Sequence, residues 1–371
     1  MKRAISILSV MLLLLPLVLP QGLALLGVSE GPGTVEKQLK TPRPELSLAV
    51  QDFKAFAGQT ARAYIDAFPF RDTMIRTANG IKMALFRESP SSSVVMGADG
   101  WLFFPKEMAI EDWMGLGHYT PEELARMVAL MRERRDWLAA RDVAILVVIA
   151  PNKATVYGEF MPASLHKLSP VTRLDQLSEA MRQSGIPYLD LRDALAKAKT
   201  VRRAYWKTDT HWNGWGAFAG SAAIVEALRQ RFPAMPPLLE EEYQVSEYDA
   251  PGGDLAEMLL LEATLRERMV DMVPLAPTRA RPAQGKGYKD PAIIKSRAMI
   301  IRETGDATLP TAVFFRDSFS TAAVTFLAER FQRSVFLWDH RFLRHIVEAE
   351  KPDVVIFEAV ERYQHALFVA P

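Results

Sequence analysis

The sequence predicts an α/β fold, a mostly parallel sheet flanked by helices, behind an apolar N-terminal segment that reads as a membrane anchor or signal helix. Three observations carry that reading. Residues 143–150, VAILVVIA, form a nearly all-apolar run of the kind buried on both faces of a parallel sheet. From Thr120 onward such runs alternate with segments of helical period. Residues 311–315 then pass directly into a helical pattern with Phe319, Ala322, Ala323, Phe326 and Leu327 on one face. Such strand-to-helix joints lie at the sheet edge where ligands bind.

The 371 residues are 49% apolar, enough for one large domain with additions or for two. Charges cancel to +1, so there is no general electrostatic case for nucleic acid. Cysteine is absent, which removes thiol catalysis and Cys-based zinc sites and is compatible with export. Lys2 and Arg3 precede an apolar run over 4–20 that resumes over 23–28, predicting a cytoplasmic N-terminus and a translocated body. Residues 1–28 are a cleaved signal peptide or an uncleaved anchor in the inner membrane. Leu25 and Leu26 extend the apolar stretch and favour the anchor.

Residues 29–90 comprise a Gly-, Pro- and charge-rich spacer over 29–46, then helical periodicity over 53–86 broken at Phe68-Pro69-Phe70-Arg71. The main domain occupies 91–371. It opens with a hairpin over 94–104 turning at Asp99-Gly100. Thr120-Pro121-Glu122-Glu123 starts a helix to about 141, and the strand 143–150 ends at Pro151-Asn152-Lys153. A helix over 171–184, a strand over 188–190 and a helix over 191–198 follow, then a helix over 215–232 capped by Asn213-Gly214. An insertion at about 233–310 holds an expected helix over 255–268 and a hairpin around 297–304. A strand over 334–338, a helix over 342–349 and a strand over 354–357 complete the pattern.

Ser318 sits on the joint, where its backbone N–H meets the positive end of a helix dipole. A serine nucleophile needs a histidine to take its proton and a carboxylate to orient the ring, and Asp209 and His211, two apart on an extended segment, supply that pair. Asn152, Ser318 and Tyr363 all follow predicted strands and converge on one edge. His340 and His345 are five apart, and the remaining histidines lack ligand-type neighbours, so no catalytic metal is expected.

Taken together, Phe68-Pro69-Phe70-Arg71, Gly97-Ala98-Asp99-Gly100-Trp101-Leu102-Phe103, Pro151-Asn152-Lys153, Thr208-Asp209-Thr210-His211-Trp212-Asn213, Gly253-Asp254-Leu255, Arg316-Asp317-Ser318-Phe319 and Glu361-Arg362-Tyr363 resemble the AlgX/AlgJ family of alginate O-acetyltransferases. The likeness runs in order from about residue 50 to the end. It implies an SGNH-hydrolase-like domain, circularly permuted because the Asp/His pair precedes the serine. It also implies a Ser318-His211-Asp209 triad that moves an acetyl group onto hydroxyls of an exported polysaccharide. No bound cofactor is implied: the acetyl group comes from a donor or partner protein, a membrane-bound O-acyltransferase (MBOAT), which places this chain in the periplasm beside the inner membrane.

Around that triad, the Ser318 N–H is the expected first oxyanion donor, and the Tyr363 hydroxyl or Asn152 amide the second. Arg316 and Arg362 are candidates to hold an acidic sugar, and Trp212, with Trp206 and Trp215, to stack on sugar rings. Asp317 reads as a helix cap. Two alternatives use the same features: a carbohydrate esterase (deacetylase) with water as acceptor, and a non-catalytic polysaccharide-binding subunit of a secretion complex.

Overall fold

A strand apolar at every position must be covered on both faces, and the arrangement of this chain follows from that requirement. The computed structural model describes residues 14–15, 18–28, 59–60, 62–65, 68–288 and 299–368. The chain divides into two units, residues 1–91 with 257–261, and residues 92–256 with 262–371.

In the first unit, helix α1 (Arg71–Ile81) begins after Phe70, whose φ of 57° interrupts the helical path within the Phe-Pro-Phe-Arg run. Asn79 Nδ2 donates to Leu259 O at 2.7 Å. Among the described residues no helix is long and apolar enough to cross a membrane. Much of the expected anchor at 1–28, and the spacer, lie outside those residues.

The second unit opens with β1 (Val95–Met96) paired antiparallel to β2 (Leu102–Phe103) around Asp99 and Gly100, at φ 52° and 78°. Helix α2 (Pro121–Ala139) starts in a capping box: Glu123 N donates to Thr120 Oγ1 and Thr120 N to Glu123 Oε2. In order follow β3 (Ala144–Ala150), α3 (Arg173–Ser184), β4 (Tyr188–Asp190), α4 (Arg192–Val201) and α5 (Gly214–Arg229). The cap of α5 is Asn213, which accepts from Gly216 N at 3.0 Å. Strands β5 (Tyr243–Ala250) and β6 (Glu267–Pro274) form an antiparallel hairpin. Next come β7 (Arg281–Pro282), β8 (Met299–Glu303), β9 (Thr311–Arg316), α6 (Ser320–Leu327), β10 (Arg333–Trp338), α7 (Arg344–Glu350) and β11 (Val354–Val360).

The central sheet has the order β4-β3-β11-β9-β10-β8-β7, parallel from β4 to β10 and antiparallel at β8 and β7. Alternate residues of each strand enter two separate cores. Leu146, Val148, Phe314, Phe336 and Ile356 pack with residues of α4, α5 and α6, whereas Val147, Ile149, Phe315, Val335 and Phe357 pack with residues of α2, α3 and α7. Stacked aromatics tie the strands: Phe314 on Phe336 at 4.4 Å and Phe315 on Phe357 at 5.3 Å between centroids. Each fully buried side chain of this kind contributes about 1.5–3 kcal/mol.

Two elements depart from expectation. The hairpin expected around 297–304 is a single strand over Met299–Glu303, paired with β10 and β7 in the central sheet. The helix predicted over 255–268 ends at Met258, and Glu267 already belongs to a strand. There the charged run 262–268 serves the edge of a hairpin, with Arg266 paired to Asp249 and Arg268 to Glu247 across the strands.

Candidate active site

Because β3, β11 and β9 are adjacent and parallel, the residues just past their ends meet at one edge: Asn152, the 361–363 segment and Ser318. Ser318 lies in a tight turn between β9 and α6. Asp317 holds that turn, its Oδ1 accepting from Phe319 N (2.9 Å) and its Oδ2 from Val360 N (2.7 Å), so the nucleophile's turn is tied to the neighbouring strand. This differs from the helix cap expected of Asp317: α6 begins at Ser320, and its cap residue, Phe319, makes no side-chain capping bond. Behind the turn, Glu358 accepts from Ser320 Oγ and from Asp317 N, and burial together with the Asp317 charge pushes its carboxyl well above the usual range.

Asp209 and His211 lie in a loop closed at its base by the Tyr205–Trp212 bridge. They face the same way because the Asp209 carboxylate folds back onto its own chain, Oδ1 accepting from His211 N at 2.9 Å, and not because the segment is extended. The same Oδ1 takes the His211 Nδ1 bond at 2.7 Å, and His211 Nε2 lies 2.8 Å from Ser318 Oγ. The structure thus aligns hydroxyl, imidazole and carboxylate in one hydrogen-bonded line.

Several groups fix that loop. Lys153, buried, reaches beneath it and donates to the carbonyls of Trp206 (3.2 Å), Lys207 (3.0 Å) and Asp209 (2.6 Å). Glu267 accepts from the backbone of Lys207 and Thr208, each at 2.9 Å. On the other side Asp254 N donates to Asp209 Oδ2 at 3.0 Å, and Asp254 accepts from Thr210 N (2.7 Å) and Thr210 Oγ1 (2.5 Å). Gly253 permits this approach, since a Cβ there would overlap the Asp209 side chain.

The electrostatics follow from burial and pairing. Burial alone would raise the Asp209 carboxyl, but the His211 hydrogen bond and charge, with two backbone N–H donors, hold it at about 2. Asp254 is pushed up by burial and by the Asp209 charge. Burial pulls Lys153 down to about 7 against the opposing effect of Asp209, Asp254 and Glu267. Burial also pushes Glu361 up to about 7 although its Oε2 accepts from Asn152 N and Thr155 Oγ1. Asp209, His211 and Asp254 are close enough to hold a metal ion among the described residues. Their oxygens, however, are already engaged by N–H and O–H donors of the loop.

The remaining candidates separate into two groups. Asn152 is buried, its Oδ1 accepts from Arg362 Nη1 at 3.2 Å, and its Nδ2 has no partner among the described residues. It lines a small cavity of about 20 Å³ with Phe104, Thr210 and Arg362, beside the triad loop. Tyr363, half-buried, lies with its ring centroid 5.3 Å from the Arg362 guanidinium. Arg316, Arg362 and Trp212, by contrast, are covered. Arg316 Nη1 donates to Asp317 O and Thr321 Oγ1, Arg362 stacks between Phe104 and Phe319, and the Trp212 indole donates to Phe319 O at 3.0 Å. Trp215 is likewise buried, while Trp206 is half-buried and donates to Trp212 O. These side chains brace the turn and the loop, and the sugar contacts expected of Arg316, Arg362 and Trp212 are not available in this arrangement. Sequence reasoning missed the support from Lys153, Asp254 and Glu267. The first two stand inside the quoted Pro-Asn-Lys and Gly-Asp-Leu runs, whereas Glu267 has no local signal.

Residues 94–337 match the family model described as SGNH hydrolase-like domain, acetyltransferase AlgX. The chain is 28% identical over 255 residues to the probable alginate O-acetylase AlgJ of Pseudomonas putida, covering 67% of this chain and 63% of that protein. Against the protein of the same name from Pseudomonas aeruginosa it is 28% identical over 254 residues, covering 66% and 62%. The chain therefore matches somewhat less than two thirds of the length of these curated relatives. Among solved structures, that of Bacillus cereus PatB1 with a sulfonyl adduct superposes with a TM-score of 0.54 at 15% identity, covering 74% of this chain and 96% of that one, a likeness of fold.

Proposed function

The chain belongs to the family of the SGNH hydrolase-like acetyltransferase AlgX, and from that membership and the geometry at Ser318 we propose that it is a serine-dependent O-acetyltransferase acting on an exported polysaccharide. The observation that carries the reading is the continuous Ser318–His211–Asp209 line, with contacts of 2.8 and 2.7 Å. In the first half-reaction His211 Nε2 takes the Ser318 proton as Oγ bonds to the acyl carbon. The tetrahedral intermediate collapses, the donor's leaving group departs with the proton held by His211, and acetyl-Ser318 remains. In the second, His211 takes the proton of a sugar hydroxyl, whose oxygen attacks the acetyl carbon, and Ser318 Oγ leaves and recovers the proton. Asp209 keeps the Nδ1–H pointed at itself and stabilises the imidazolium.

Two donors serve the oxyanion. The Ser318 N–H is the first, and the Asn152 Nδ2, unpartnered and beside the triad loop, is the second. The Tyr363 hydroxyl is the alternative second donor. The acceptor is a uronate-containing glycan, as the names of the relatives suggest, and the reaction takes place outside the cytoplasm. There the N-terminal helix holds the domain beside a membrane-bound O-acyltransferase partner that delivers the acetyl group.

Incubation with p-nitrophenyl acetate, with and without oligomannuronate, followed by mass spectrometry of protein and sugar, tests the reading. An acetyl adduct present in wild type, absent in Ser318→Ala and discharged onto the sugar supports transfer. Acetate without acetylated sugar makes the protein an esterase, and no adduct in either form removes the enzymatic reading.

A further inference from the structure

Of the seven tryptophans only Trp338 lies mostly in solvent, with 51% of its surface exposed. One face of the indole covers the buried Arg316 guanidinium, and the other, at the sheet edge that carries the triad, is left to solvent. It ends β10 in register with Arg316, two residues before Ser318, at the edge of the sheet where the triad lies. The buried Arg316 guanidinium sits 5.0 Å from the indole centroid and is itself held by Asp317 O and Thr321 Oγ1. One face of the ring therefore rests on a cation anchored in the nucleophile's own turn, and the exposed surface is what remains. Two residues on, His340 Nε2 approaches Asp317 Oδ2 at 3.9 Å, so the segment that follows Trp338 also borders that turn.

We propose that Trp338 is a stacking platform for a pyranose ring of the acceptor polysaccharide, orienting the chain so that a hydroxyl of a nearby residue reaches His211 and acetyl-Ser318. The proposal rests on the acetyltransferase reading. A pyranose presents an apolar C–H face inside a polar rim, and an indole held from behind accepts that face with little ordering cost. This assigns to Trp338 the sugar-stacking role that the buried Trp212 and Trp215 do not fill.

The test is calorimetric binding of oligomannuronate to the Ser318→Ala protein carrying Trp338→Ala, Trp338→Met or Trp338→Phe, with thermal unfolding as a check on folding. The Ala and Met variants are expected to bind about tenfold more weakly and the Phe variant within about threefold of the parent, because an aromatic face and not bulk is required. In proteins with Ser318 intact, Trp338→Ala shifts the partition of acetyl-Ser318 from sugar towards water by a similar factor. Equal binding by the Ala variant and its parent overturns the proposal, as does a Phe variant no better than Ala. Because binding is read without chemistry, failure of acetyl transfer with the tryptophan dependence intact counts against the proposed activity and not against the platform.

Discussion

Replacing Lys153 by methionine separates the cost of a buried cation from its value as an anchor. The side chain fits, but three carbonyls, those of Trp206, Lys207 and Asp209, lose their donor. An unsatisfied buried acceptor costs roughly 1–3 kcal/mol, so the gross loss is several kcal/mol. Against it stands the burial cost that Lys153 no longer imposes. A fall from 10.5 to about 7, at about 1.4 kcal/mol per pH unit, corresponds to roughly 5 kcal/mol in acid solution. The two nearly cancel, and Lys153→Met is expected to change stability at pH 7 by no more than about 2 kcal/mol in urea unfolding. Activity does not share that cancellation. Freed from below, the loop misplaces Asp209 and His211, and an error near 1 Å costs on the order of 100-fold, read as the rate of Ser318 acylation by p-nitrophenyl acetate. The pH dependence adds a second signature. Between about 7 and 10.5 the unfolded chain keeps a proton that folded Lys153 has released. Wild-type stability therefore gains from this group as pH rises through that window, and the variant lacks the gain. Acylation within about threefold of wild type, or a loss wholly explained by the unfolded fraction, would refute the reasoning.

Two further expectations follow from the same surroundings. Gly253→Ala drives a methyl into Asp209, so acylation should fall about 100-fold or more with a stability loss of about 1–3 kcal/mol; a variant with normal burst kinetics would show that the loop yields freely. Glu361→Gln preserves both hydrogen bonds, since Asn152 N and Thr155 Oγ1 share the single oxygen Oε2. The wild-type carboxyl, raised from 4.5 to about 7, stays protonated in the folded state where the unfolded chain ionises. Its contribution is complete below pH 4.5 and is lost as pH rises through about 7. The Gln variant should therefore gain about 3 kcal/mol on wild type between pH 4.5 and 7, and a constant difference across chemical denaturation curves would contradict this.

The layered sheet was legible because its strands are apolar at successive positions, which only a two-sided cover explains, whereas serine chemistry alone made Ser318 and the Asp209/His211 pair candidates and the family resemblance singled them out. Long-range support was not legible. Glu267 clamps the loop at Thr208 from 59 positions away, and no periodicity encodes that distance. The arginines misled for a related reason: sequence reports a guanidinium, not what lies above it, and Arg316 is capped by Trp338 while Arg362 is enclosed by aromatic rings. The helix expected over 255–268 failed because its charges pair across a hairpin, where partner strands and not local preference set the conformation.

Strand β11, the last in chain order among the described residues, lies between β3 and β9 in the interior of the sheet. Without that strand the β4-β3 pair and the β9-β10-β8-β7 group are not joined as they are in the finished sheet, and the turn at Ser318 lacks the Val360 bond. A chain made from its N-terminus therefore completes the centre of the sheet, and with it the support of the Ser318 turn, only once β11 is present.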